Sequence, residues 1–355
     1  MRQKILIVGG YGAVGGHIAK KLSQIYPGNV IVAGRNLEKA KRMGKSLNNS
    51  VIAMQLDISA LPSDDTFLND VMLVVMCIEQ ESIAFVKRCI NNGIHYIDIS
   101  ASIDYLKAIE ALHKQAVQNR SIVLLSVGIA PGLSNLLVKH CKNTNSDIKD
   151  VDIFILLGLG EAHGEAAIRW SIEQLNTEFG DNVGNRFESF TDGTETLFPN
   201  ERSKRTAYRF NFSDQHVLPR TLSLRSVSTR LCFESRVMTT VYSLLKKAGV
   251  SRVFKWKFAQ DIMTKIIRRM RFGTDIFSVK IEAFSGKDKD LFYACSITGH
   301  EEAKFTGLVA AKTAEKIVEA SFPCGVFHIE QCFEPMEIIN TLTDYGLQFE
   351  EGGRH

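Results

Sequence analysis

The 355-residue chain has little of what would put a protein outside the cell, in a membrane or on nucleic acid. Its seven cysteines, at positions 77, 89, 141, 232, 295, 324 and 332, are scattered, odd in number and without a C-x-x-C pair. That spacing argues against a disulfide framework or a zinc site and leads us to expect reduced thiols in a cytoplasm. No apolar run approaches the ~20 residues of a spanning helix. The Met-Arg-Gln-Lys start suggests a leader, but the apolar run behind it stops at Gly9, too soon for a signal peptide. Net charge is only +4, from 43 basic and 39 acidic side chains, and is too dispersed to call for a nucleic-acid partner. There is no internal repeat, no low-complexity segment and no sequence sign of a nucleophilic triad.

What is present begins at Lys4. Ile5–Val8 is a short β-branched run suited to a strand buried on both faces. Gly10-Tyr11-Gly12-Ala13-Val14-Gly15 comes next and fits G-x-G-x-x-G. Val14, Ile18, Leu22 and Ile25 then recur at helical spacing, and Val30–Ala33 is a second buried strand ending at Gly34-Arg35. Strand, glycine turn, helix and strand form the context a dinucleotide fingerprint requires. Gly10 makes the tight turn, Gly12 admits a pyrophosphate, and Gly15 lets helix and strand pack closely. The helix N-terminus offers free N–H groups to phosphate.

Further strands are expected at 51–56, 71–76, 95–100 and 121–127, with helices at 36–47, 81–91 and 105–119 between them. This rhythm predicts an α/β fold, a Rossmann-type doubly wound parallel sheet. Beyond Asp150 the pattern changes. Residues 152–157 read as a strand, 166–177 as a helix, 186–235 as antiparallel strands, and 277–284 and 291–299 as return strands. Together they describe an α+β substrate or dimerisation domain, and the length allows two cores. Ala303–Ser321 is a helix rich in small residues, 335–345 a last helix, and 350–355 a frayed tail.

The glycine turn with Gly34-Arg35, then Tyr96-Ile97-Asp98, then Gly128-Ile129-Ala130-Pro131-Gly132-Leu133-Ser134-Asn135 together resemble the saccharopine dehydrogenase-like oxidoreductases. These include the saccharopine reductase and carboxynorspermidine dehydrogenase group. Gly299–Lys304 and Pro323-Cys324-Gly325-Val326 look like that family's return segment. The resemblance implies a nucleotide domain of residues 1–132 and 303–349, with 133–302 inserted as the substrate and dimerisation domain. It also implies NAD(P)-dependent chemistry at a C–N bond of an amino-acid-like small molecule, in a homodimer. Two alternatives stay open: an enoyl or lipid-directed reductase of the same superfamily, and a non-catalytic NADP-binding protein.

The candidate site residues carry two readings each. Arg35 stands where an NAD enzyme places an acid, so it favours NADP over NAD; otherwise it is a loop arginine. Asp57 and Ile58 meet the adenine, or Asp57 caps a turn. Cys77 and Ile78 close the fourth strand beside the nicotinamide ribose, without thiol chemistry. Tyr96 and Asp98 share one face of the fifth strand and, exposed together at its carboxyl end, are candidate catalytic residues touching cofactor or substrate; otherwise they bond the strand in place. Pro131 and Gly132 bring backbone to the nicotinamide, or form a hinge. His163 is a candidate acid or base and Arg169 a carboxylate clamp, unless both lie on the surface. No metal site is expected. Segment 246–271 carries nine basic side chains against Asp261 alone. It reads as a basic amphipathic helix for an anionic membrane or an acidic substrate, or, as we expect, as core packing with a solvated basic face. Membrane contact is therefore not expected.

Overall fold

The computed structural model describes residues 2–353 except 162–164, 176, 182–183, 250–257, 259, 262–263, 266–271 and 286–289. In chain order the first elements are β1 (Lys4–Val8), α1 (Ala13–Ile25), β2 (Val30–Gly34), α2 (Leu37–Ser46), β3 (Val51–Gln55) and β4 (Val71–Met76). Then come α3 (Ala84–Asn91), β5 (His95–Asp98), α4 (Ile103–Glu110), α5 (His113–Gln118) and β6 (Ile122–Leu125). Next are α6 (Ser134–Thr144), β7 (Ile148–Leu159), α7 (Glu165–Gln174), β8 (Glu178–Gly180), β9 (Arg186–Glu188), β10 (Thr194–Thr196) and β11 (Arg205–Arg209). After these lie α8 (Asp214–Thr221), β12 (Ser226–Phe233), α9 (Arg236–Lys247), β13 (Phe272–Ser285) and β14 (Asp290–His300). The chain closes with α10 (Glu302–Glu319), β15 (Gly325–His328), α11 (Ile329–Cys332), α12 (Pro335–Thr343) and β16 (Gln348–Gly353). It divides into two compact units, residues 1–129 with 303–332 and residues 130–302 with 333–355.

The first unit is a parallel sheet in the order β15-β6-β5-β4-β1-β2-β3. Six of its strands keep the doubly wound dinucleotide-binding order, and β15 extends the sheet beyond β6. Strands β1, β2, β4 and β6 are apolar almost throughout because helices cover both faces. Helix α10 shows why its small residues matter. A Cβ on Gly307 would stand 2.7 Å from the Cβ of His17 and 3.1 Å from the Val14 carbonyl, so the helix lies directly on α1. The helix expected over 105–119 is two, because the chain tightens at Leu112, whose N–H bonds the Ile109 carbonyl (2.8 Å). That break lets Leu106, Ile109 and Ala116 all reach the core.

The second unit holds a mixed sheet in the order β10-β11-β12-β7-β13-β14-β16. The antiparallel strands expected over 186–235 are present, β9 pairing with β8 and β11 with both β10 and β12, and β12 joins the sheet by pairing parallel with β7. One expectation changes here. Residues 350–353 of the expected tail are not frayed: β16 pairs antiparallel with β14, with Phe349 opposite Ile297. Glu351 is held there by His140 (2.8 Å) and by the Tyr293 hydroxyl (2.5 Å). Residues 333–349 therefore belong to the second unit, not to the nucleotide domain. Among the described residues no helix is long and apolar enough to cross a membrane.

Candidate cofactor site

The carboxyl ends of β1 to β5 meet on one edge of the first sheet, and the glycine turn sits at its middle. Gly9 leaves β1 with φ +81°, and a Cβ there would lie 2.7 Å from Ile78 Cγ2. Its N–H and that of Gly10 both donate to the Ala33 carbonyl (2.8 and 3.2 Å), tying the turn to β2. Gly12 N donates to the Gly9 carbonyl (2.9 Å). A Cβ on Gly15 would run into that same carbonyl and come within 2.8 Å of Gly10 Cα, so only glycine lets α1 start this close. Gly9 escaped the sequence reading, which began the turn at Gly10. The glycine pair directly after a buried strand was the available signal.

Gly12 is the N-cap of α1 and supplies no side-chain cap, and no acid lies in the first turn. The first N–H groups of the helix, including those of Ala13 and Val14, thus keep their capacity for an anion. The nearest atom to a Cβ on Gly12 is the Gly9 carbonyl at 3.1 Å, so side chains leave the turn's outer side open. A dinucleotide pyrophosphate fits this arrangement.

At the end of β2 the Tyr11 ring lies over Gly34. A Cβ there would stand 2.5 Å from the Tyr11 hydroxyl oxygen. That oxygen accepts from Asn36 N (3.0 Å), and Asn36 Oδ1 caps α2 by accepting from Lys39 N (2.9 Å). Asn36 is a second residue that motif reasoning passed over, since its part is played through backbone and cap. Arg35 projects from this bracket, exposed. Its carbonyl accepts from Gln55 Nε2 (3.2 Å). The Asp57 carboxyl is held below its usual range, first by the Ser59 hydroxyl and amide and then by the charge of Arg35. Asp57 Oδ1 accepts from Ser59 N (3.0 Å) and Ser59 Oγ (2.7 Å), which is the turn-capping geometry. Ile58 packs against the core cluster of the unit.

Cys77 N donates to the Val8 carbonyl (2.9 Å), which sets Cys77 and Ile78 beside Gly9. Burial, and then the charge of Asp98, push the Cys77 thiol far up, which removes it from thiolate chemistry. Tyr96 and Asp98 do share a face, but the exposure expected of them is absent: both are fully buried. The Tyr96 hydroxyl donates to Asp98 Oδ2 (2.8 Å) and accepts from Gln80 Nε2 (2.9 Å), while Ser100 N donates to Asp98 Oδ1 (2.7 Å). Helices on both faces of a parallel sheet explain the burial. Burial raises the Asp98 carboxyl above its ordinary range, against the Ser100 and Tyr96 hydrogen bonds.

The remaining candidates lie in the second unit. Gly132, at φ +140°, donates its N–H to Asn135 Oδ1 (3.1 Å) just after Pro131. Behind them Ser134 Oγ (2.9 Å) and Thr229 Oγ1 (2.6 Å) donate to the buried Asp214 carboxylate, a network that no motif in the sequence announces. Arg169, on α7, is bonded to Asp261 at 2.8 Å. His163 and most of segment 246–271 lie outside the described residues.

A doubly wound sheet with this glycine turn defines the class of dinucleotide-binding domains. Residues 5–124 match the family model described as the saccharopine dehydrogenase NADP binding domain, so that stretch of the nucleotide unit is similar to an NADP-binding domain of that kind. Among solved structures, apo saccharopine dehydrogenase (L-Glu forming) from Saccharomyces cerevisiae shares the fold, with a TM-score of 0.68. It is 13% identical, over 99% of this chain and 100% of that one. A probable dehydrogenase from Thermotoga maritima also matches at 13% identity and a TM-score of 0.45, over 98% of each chain. A comparison with curated proteins finds no match.

Proposed function

We propose that this oxidoreductase acts on a C–N bond of an amino-acid-derived substrate, reducing the imine of an amine and a keto acid or running the reverse. The observation that carries the NADP part is Arg35, exposed at the end of β2 with no acid among Ala33, Gly34 and Asn36. Its planar fork suits a 2′-phosphate. When bound, the nicotinamide supplies or accepts the hydride. Gly10, Gly12, Gly15 and the α1 N-terminus would hold the pyrophosphate, beside the Tyr11 ring braced on Gly34 and Asn36. Asp57 and Ile58 would lie toward the adenosine end, with Asp57 also capping its turn, and the Cys77-Ile78 backbone would lie toward the nicotinamide end. The Tyr96–Asp98 pair fixes the end of β5 and so positions the loop into α4. Imine reduction needs orientation and charge more than a covalent nucleophile. Pro131 and Gly132 would offer backbone to the substrate side. Arg169 would clamp a substrate carboxylate by exchanging it for Asp261.

Oxidation of NADPH, monitored by its absorbance, tests the reading across pairs of keto acids and amino acids. Turnover should require both partners together. Turnover with an enoyl thioester alone would move the chain to the lipid-directed class. Tight NADPH binding with no turnover on any pair would leave a binding protein.

A further inference from the structure

Ser126 leaves β6 in a left-handed conformation, φ +57°, which residues other than glycine seldom adopt. Its hydroxyl is bonded to His328 Nδ1 (2.8 Å), and His328 Nε2 to Glu110 Oε1 (3.1 Å) at the end of α4. A carboxylate only accepts, so Nε2 carries the proton of the neutral ring and Nδ1 accepts from Ser126. Strand β15 brings the histidine there, since His328 lies opposite Leu125 in the parallel pairing. Ser126 is 0% and His328 3% exposed. Serine, histidine and a carboxylate in this order serve nucleophilic attack where the hydroxyl is open. Here the hydroxyl is enclosed, and the three side chains hold a turn. The next two residues, Val127 and Gly128, are buried as well. Neither of their N–H groups donates to an acceptor among the described residues. Native proteins pair roughly nine-tenths or more of such buried groups, so two in succession mark a place for a ligand's acceptor. Successive N–H groups beside a left-handed residue form a concavity suited to one.

Resting on the NADP reading of the first unit, we infer that the Val127 and Gly128 N–H groups receive the carbonyl oxygen of the nicotinamide carboxamide, and that His328 is the positioning residue that sets them through Ser126. In the doubly wound order one mononucleotide lies on β1 to β3 and the other on β4 to β6. Arg35, at the end of β2, belongs to the first half with the 2′-phosphate. The nicotinamide therefore falls to the second half, whose last strand is β6. A carbonyl oxygen has two lone pairs and accepts from both N–H groups, whereas a cation or an apolar group would leave them unmet.

Titration of the full chain with NADPH and with adenosine 2′,5′-bisphosphate, which has the 2′-phosphate but no nicotinamide, tests this. H328A should weaken NADPH binding about twofold to tenfold, the worth of one hydrogen bond, and leave the bisphosphate unchanged. H328N keeps an acceptor for Ser126 and should restore NADPH affinity. S126G keeps the left-handed turn without its tie and is judged by the same two titrations, so it decides the matter if H328A does not fold. Equal loss of both ligands, an unchanged NADPH affinity in the folded variant, or an H328N no better than H328A would overturn the proposal. A wild type that binds neither ligand would sink the NADP reading and this proposal with it. One that binds both, with H328A unaffected, would sink this proposal alone.

Discussion

Arg35 and Asp98 show how differently two side chains at the same sheet edge act. Arg35 is exposed, so its value depends on what binds. One charge-assisted hydrogen bond to a 2′-phosphate contributes about 1.5–3 kcal/mol, a preference of roughly tenfold to a hundredfold for NADPH over NADH. R35D should remove that preference and leave NADH affinity nearly unchanged, as read by fluorescence titration of both nucleotides; equal wild-type affinities would reduce Arg35 to a loop residue. Asp98 is buried, and its carboxyl stands above the ordinary range in the folded state. The native protein therefore keeps a proton that the unfolded chain has already lost, and this group costs stability as pH rises from about 4 through the raised native value. D98N keeps an acceptor for Tyr96 and removes that loss. Its melting temperature should gain on wild type as pH rises toward neutral and lose that gain in acid. A difference that does not change with pH would refute the assignment. D98A instead leaves the Tyr96 hydroxyl without its acceptor and should cost about 1–3 kcal/mol by denaturant unfolding.

Among the elements, the strand-turn-helix-strand from Lys4 to Arg35 was legible because every local signal agreed: β-branched run, glycines, then helical period. Tyr96 and Asp98 were legible only in part. Alternation says that two side chains share a face, but in a sheet covered on both sides it does not say that the face is open. Strand β16 was hidden for another reason, since an edge strand is defined by a partner about fifty residues earlier and not by its own composition. The close approaches are testable. G15A places a methyl on the Gly9 carbonyl and should abolish measurable NADPH binding while the second unit stays folded by circular dichroism. G307A meets the His17 Cβ at 2.7 Å and should cost about 1–3 kcal/mol on unfolding.

For the whole molecule, NADP binding links function to stability. A ligand that binds only the folded state at one hundred times its dissociation constant adds about 2.7 kcal/mol. NADPH should raise the melting temperature of the first unit, and R35D should lose most of that rise while its ligand-free melting temperature stays put. A scan unaffected by NADPH in the wild type would mean that the glycine turn holds no nucleotide.

The sheet that carries this turn has a history written into its order. Strand β15 pairs with β6, with Gly325 opposite Ile122, although every residue of β7 to β14 is made between them. A ribosome adding about 5–20 residues per second therefore releases β1 to β6 well before their seventh strand exists. During that interval β6 has a bare edge, and α1 lacks the helix that later covers it. Nascent chains halted before residue 303 should thus be the form that chaperones hold, and completion of α10 and β15 should release them.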